Sequence, residues 1–316
     1  MKRLTSAAWM TMSLALAVAG CSRVGLDAIT APSSDGGGGD GGDGGAGDGT
    51  SPACSISPLS AGDTTETVQV GSMSRSYLLH VPSTYKAGVR VPLILDFHGL
   101  VVNGAKQRML SPYPAATESA GVIMAFPNGA TGPAGAAWNV GPCCVSGVDD
   151  VAFALAVVAQ VQAIACIDST RVYAVGFSMG GGMAYQLGCH AANVFAGIAP
   201  SAFDLAQENV GDCLPSRPLT VIAFRGSADT LVPYGGGASS VVPGMPMTFL
   251  GAQATFQKWA QLDGCTGEPS ASDGNGCSTY SSCDGGVQVT LCTKQGGGQD
   301  QGNAAIAWPV LEQHPL

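Results

Sequence analysis

Gly176-Phe177-Ser178-Met179-Gly180 sets a serine between two glycines, behind the apolar run Arg171–Val175 and ahead of an Ala- and Met-bearing stretch. In a strand–turn–helix setting, G-x-S-x-G holds the serine on a sharp turn with its hydroxyl exposed as a nucleophile. A hydroxyl attacks poorly unless a base takes its proton. The chain offers four histidines for that task, His80, His98, His190 and His314. Asp229 follows the apolar run Leu219–Phe224 by a short turn, where the acid belongs in the order Ser, Asp, His. Such an acid fixes the imidazole tautomer and stabilises the imidazolium. His98-Gly99 follows the buried-type run VPLILDF at 91–97, the position of a loop that serves an oxyanion. Backbone N–H groups of Leu100 and Met179 are the expected donors to the developing charge. His98 then shapes that loop, because the base of this arrangement enters from a later strand.

These residues need a sheet whose strands end at one edge. Thr67–Val70 and Arg75–Val81 read as a hairpin across Gly71-Ser72. Val91–Phe97, Gly121–Phe126, Arg171–Val175 and Leu219–Phe224 are nearly all apolar, as strands buried on both faces are. Between them lie expected helices, one from Asp150 to about Ala165 and one over Met179–His190. Asp149 and Asp150 read as capping and structural residues. Alternating strands and helices predict an α/β domain with a mostly parallel sheet, whose functional residues sit at the carboxyl ends of strands. Residues 263–286 carry Cys265, Cys277 and Cys283 among Gly, Ser and Asp, and predict a disulfide-stapled excursion before a last strand, Val287–Cys292. Asn303–Gln313 reads as a terminal packing helix.

The order of motifs resembles the extracellular polyhydroxybutyrate depolymerase-like esterases, an α/β-hydrolase family that includes feruloyl and acetyl-xylan esterases. The resemblance runs from Arg75 to the C-terminus. It rests on Arg75-Ser76-Tyr77 with Val81-Pro82-Ser83, on Asp96-Phe97-His98-Gly99, and on Ala137-Trp138-Asn139 leading to Cys143-Cys144. It continues through Val148–Phe153, Ile167–Tyr173, the serine turn, Phe195–Pro200, and Gly226-Ser227-Ala228-Asp229 with Val232-Pro233-Tyr234. The resemblance implies the α/β-hydrolase fold, a Ser178 acyl-enzyme, and a substrate cleft near Trp138 and His98. It also implies a base in a Gly-Gly-Gly-His run after the last strand. Here that run ends in glutamine, Gly296-Gly297-Gly298-Gln299. A glutamine amide donates and accepts hydrogen bonds but takes no proton near neutral pH. His314, in the closing Glu312–Leu316, is the one substitute base retained, since apo geometry alone seldom excludes a candidate. Two functions follow. The first is a serine carboxylic-ester hydrolase acting on polyhydroxyalkanoate-like polyester, esterified polysaccharide or a small ester. The second is a degenerate member of the family that binds such a polymer without turning it over.

Bulk properties set the surroundings. Hydrophobic residues make up 46% of the 316, enough for a buried core. A net charge of −9 disfavours nucleic acid as a partner. Residues 1–20 read as a signal peptide: Lys2 and Arg3 precede a short apolar core, Ala7–Ala19, too short to span a membrane. The end of that core, Val18-Ala19-Gly20-Cys21, resembles a lipobox, which implies lipid on Cys21 and a surface anchor after export. Residues 21–53 form a Gly- and Asp-rich tether, leaving 54–316 as one catalytic-type domain, expected as a monomer. Apart from Cys21, ten cysteines remain, an even count that reads as disulfides in an exported chain. No C-x-x-C pair supports zinc, and the serine chemistry requires neither metal nor cofactor.

Overall fold

Val91–Phe97 is buried at every position and forms strand β3, near the middle of a nine-stranded sheet. The computed structural model describes Cys54, residues 59–239 and residues 241–316. The expected signal, lipid-bearing Cys21 and tether lie outside these residues. In chain order the strands are β1 (Gly62–Val70), β2 (Met73–Val81), β3, β4 (Ile123–Pro127), β5 (Ala130–Gly132), β6 (Gly135–Ala137), β7 (Ile167–Phe177), β8 (Gly197–Ser201), β9 (Thr220–Gly226), β10 (Gly237–Ser239), β11 (Met247–Phe249), β12 (Cys277–Tyr280) and β13 (Val289–Lys294). The helices are α1 (Gly104–Leu110), α2 (Tyr113–Thr117), α3 (Asp150–Ile164), α4 (Met179–His190), α5 (Ala252–Leu262) and α6 (Ala304–Leu311). The sheet order is β1-β2-β4-β3-β7-β8-β9-β13-β12. Its six central strands, β4 to β13, run parallel, with antiparallel β1–β2 at one edge and β12 at the other.

Period-two alternation divides each central strand between two cores. On β3, Leu93, Leu95 and Phe97 face the layer of α3, α4 and α5, where Phe153, Val157, Met183, Leu187 and Trp259 are buried. Ile94 faces the other layer with Tyr173 and Val175 of β7, against Tyr113 of α2 and Trp308 and Leu311 of α6. Aromatic pairs fasten both layers: Tyr185 stacks on Trp259 at 5.9 Å, and Tyr173 meets Trp308 edge-on at 5.8 Å. Pro309 lies inside α6, and the helix continues through it.

The N-cap of α3 is Asp149, whose side chain accepts from Ala152 N–H. Asp150 is instead buried, paired with Arg75 at 2.9 Å and accepting from Asn139 N–H at 2.7 Å. All ten remaining cysteines pair, as Cys54–Cys166, Cys143–Cys144, Cys189–Cys213, Cys265–Cys283 and Cys277–Cys292. The last two staple the excursion before β13. No helix among the described residues is long and apolar enough to cross a membrane.

Candidate active site

Ser178 is the N-cap of α4, directly after β7, with φ +53° and ψ −123°. A non-glycine residue is held there only where its surroundings over-determine it. They do. Ser178 N–H donates to Ser201 O on β8 at 2.9 Å, and Ser178 O accepts from Gly181 N–H at 2.8 Å. The flanking glycines are steric requirements: a Cβ on Gly176 would enter the Gly180 carbonyl, and one on Gly180 would enter the Phe97 carbonyl. The turn and the end of β3 are thus pressed backbone to backbone, and the serine is left half-buried at the sheet's carboxyl edge.

Ser178 opens onto an apolar pocket. Leu100 and Met179, the expected oxyanion donors, both line it. The first N–H groups of a helix have no intrahelical acceptor, which suits Met179 to that task. Phe203, Met245, Met247, Phe249 and the Cys143–Cys144 pair form much of the remaining wall. Sequence reasoning did not assign these pocket residues; they come from the loops after β6, β8 and β10 and from strand β11, and no local pattern announces their convergence.

Asp229 is 5% exposed. Its Oδ1 accepts from Leu231 N–H and Val232 N–H at 2.9 and 3.0 Å, which orients the carboxylate. Its Oδ2 accepts from Gln299 Nε2 at 3.0 Å. The same amide nitrogen donates to Ala202 O at 3.2 Å. Ala202 follows Ser201, the residue that holds the Ser178 N–H, so Gln299 is tied to Asp229 and to the end of β8, which braces the serine turn. It makes to Asp229 the bond that a histidine Nδ1–H would make.

Arg225 lies beneath Asp229, fully buried, with Nη2 3.7 Å from Asp229 Oδ2 and donating to Val232 O at 2.5 Å. It is ion-paired with Asp204, whose carboxyl burial pushes up to about 6 against the opposing pull of Arg225. A single arginine inside the apolar run TVIAFRG was the available signal for this buried charge network.

No histidine supplies a base. His98 is fully buried; its Nε2 accepts from Gly129 N–H at 2.9 Å and its Nδ1 bonds Gly99 O at 2.7 Å. Burial lowers its imidazole to about 4, so the ring is neutral with both nitrogens engaged. Trp138 is equally buried, donating Nε1–H to His98 O at 2.8 Å. Neither lines the pocket, which corrects their expected place in a substrate cleft: they brace the loop behind it. His314 is at the wrong pole. Two residues on, Leu316 N–H donates to Thr170 O at the start of β7, and the strand from there to Phe177 rises roughly 23 Å toward Ser178. The substitute base expected at His314 is therefore excluded by distance. His190 ends α4, roughly 17 Å from Ser178, and His80 bonds Asp63 on the edge hairpin.

Such a sheet, with a positive-φ serine between its central strand and the following helix, defines an α/β-hydrolase. A solved acetyl xylan esterase from Aspergillus awamori superposes with a TM-score of 0.58 at 15% identity, covering 79% of this chain and 99% of that one. Feruloyl esterase B of Piromyces equi is 44% identical over 245 residues, which are 77% of this chain and 46% of that protein. A putative esterase, NocK, of Nocardia uniformis subsp. tsuyamanensis is 29% identical over 261 residues, 75% of this chain and 74% of that one. The chain spans less than half the length of the Piromyces relative. No protein-family model matches it. The chain therefore has the α/β-hydrolase fold, and over about three quarters of its length its sequence is similar to esterases.

Proposed function

We propose that the protein acts on carboxylic esters carried by polysaccharide, with the acyl group in the apolar pocket beside Ser178, and that Gln299 holds turnover far below that of a complete triad. The observation that carries this reading is the Gln299 Nε2–Asp229 Oδ2 bond of 3.0 Å. It fills the acid's free oxygen with an amide that cannot take a proton. Ser178 Oγ attacks the ester carbonyl, and the oxyanion is met by the N–H groups of Leu100 and Met179. The serine proton passes to water rather than to an imidazole. The alcohol leaves, and water cleaves the Ser178 ester to release the acid. Removing a triad member leaves about 10³–10⁴ over the uncatalysed rate from the oxyanion hole and binding alone. The names of the relatives, feruloyl and acetyl xylan esterase, favour esterified polysaccharide over polyester as the substrate class. In the same reading the chain is exported, as its disulfides suggest, and is held to a membrane by lipid on Cys21.

Hydrolysis of p-nitrophenyl acetate and butyrate by the wild-type chain beside Ser178→Ala tests this. Slow turnover that disappears in Ser178→Ala supports it. Equal rates in the two proteins would remove the hydrolytic reading and leave an ester-binding family member.

A further inference from the structure

Arg225 is the last side chain of β9 before its closing glycine, fully buried in a strand with no other charged position. Taking a cation out of water is costly unless it is paired. Two carboxylates share this one. Asp204, on the loop after β8, is ion-paired with Nη1, and Asp229 Oδ2 lies 3.7 Å from Nη2. Both carboxylates are as buried as the guanidinium. Tyr185 of α4 is a further titratable neighbour; burial raises its phenol well above its ordinary value, so it stays neutral. The ring of Tyr234 stands 5.9 Å from the guanidinium carbon. Lys294 and Asp300, on the chain either side of position 299, pair with each other at 2.9 Å and are exposed to solvent.

Holding loops together does not account for this arginine. Its Nη2 donates to one backbone acceptor, Val232 O, at 2.5 Å, and its buried Nε–H has no acceptor among the described residues. A residue that served only as a hydrogen-bonding brace would not leave a donor unpaired in the interior, which costs stability. Its distinctive contribution is charge. Gln299 is neutral, so without Arg225 the buried Asp229 carboxylate would have no positive group beside it. We infer that Arg225 is the charge-setting and positioning residue of this site: it supplies the positive charge that an amide at 299 cannot, compensates Asp229 where that carboxylate meets position 299, and is itself held in check by Asp204. This rests on the proposed function insofar as Asp229 is the acid of that site. The 3.7 and 3.0 Å contacts put Nη2 within about 7 Å of Gln299 Nε2. At that range, with an effective dielectric of about 20, one unit charge moves the titration of an imidazole by about one pH unit or more.

The reporter is the imidazole introduced by Gln299→His, followed by ring-proton NMR beside the four native histidines, so turnover is not required. Three proteins are titrated: Gln299→His, Gln299→His/Asp204→Asn and Gln299→His/Asp204→Asn/Arg225→Met, with a thermal melt for each. Losing Asp204 leaves the Arg225 charge unopposed, which disfavours the imidazolium, so the midpoint should fall below that of Gln299→His alone. Adding Arg225→Met then removes one positive charge without stranding a buried carboxylate at 204. The midpoint should rise by about one pH unit or more above that of Gln299→His/Asp204→Asn. A merely structural arginine would not move the two midpoints in opposite directions, and equal midpoints in folded proteins overturn the inference. If Arg225→Met abolishes the cooperative melt, the Asp204→Asn comparison decides alone, and an unchanged midpoint there overturns the inference. Hydrolysis of p-nitrophenyl butyrate by Gln299→His is read separately. Shifted midpoints with no gain in turnover would support the charge role of Arg225 and count against the hydrolytic reading.

Discussion

Replacing Gln299 by histidine should turn a slow ester-directed site into a triad. Gln299 Nε2 already lies 3.0 Å from Asp229 Oδ2, with Oδ1 of the same carboxylate held by two backbone N–H groups. An imidazole there can give Nδ1–H to the carboxylate and turn Nε2 toward Ser178, the division of labour that a triad needs. General-base catalysis contributes about 10²–10⁴ in rate, and a triad histidine acting with its serine is worth more. The expectation is a rise in kcat/KM of at least about 10²-fold on p-nitrophenyl butyrate, absent in Ser178→Ala/Gln299→His. The pH profile supplies a second readout. A neutral imidazole is the active form, so the gained activity should rise with pH through the histidine pKa. Asp229 beside it favours the charged imidazolium, which sets that rise above about 6.5. The wild-type chain should show no such limb. A wild type as fast as Gln299→His, or a Gln299→His no faster than wild type with the fold intact, would refute the reasoning.

His314→Ala should leave esterase turnover within about twofold of wild type in the same assay, since the strand geometry puts His314 at the far end of β7. Asp96 is buried, and desolvation lifts its carboxyl to about 7 although Gln107 and Ser111 pull it down. A carboxyl raised in the folded state contributes stability that is present below its unfolded pKa near 4 and lost as pH rises through about 7. Tm should therefore fall between pH 4 and 7, and Asp96→Asn should flatten that fall. Removing the Cys189–Cys213 bridge, with a separation of 24, should cost about 3 kcal/mol in denaturant unfolding.

Residues whose role follows from local pattern were legible before any coordinates. VPLILDF reads as a strand buried on both faces, which it is, and G-F-S-M-G between a strand and a helix needs its glycines for the contacts with Phe97 and Gly180. That glutamine stands at 299, where the resembled family has its base, followed from motif order; its bond to Asp229 is seen only in the structure. What stayed hidden depends on long-range approach. Trp138 reads from the resemblance as a cleft residue and Asp150 as a capping or structural one; their partners, His98 O and Arg75, lie about forty and seventy-five positions away in the chain. The pocket wall is hidden for the same reason, since Phe203 and Cys144, on the loops after β8 and β6, meet Phe249 of β11 only in the folded chain. The sequence puts His314 beyond the terminal helix but does not say at which end of the sheet that helix finishes, so its remoteness from Ser178 appears only in the structure.

The Cys54–Cys166 bridge has a practical consequence for handling the protein. Cys166 sits just before β7, at the end of the sheet remote from Ser178, and Leu316 is hydrogen-bonded to Thr170 at that same end. Both attachment points of the domain are therefore at its base, with the pocket mouth on top. A fusion partner or immobilising bead joined ahead of Cys54 or after Leu316 would display the pocket outward.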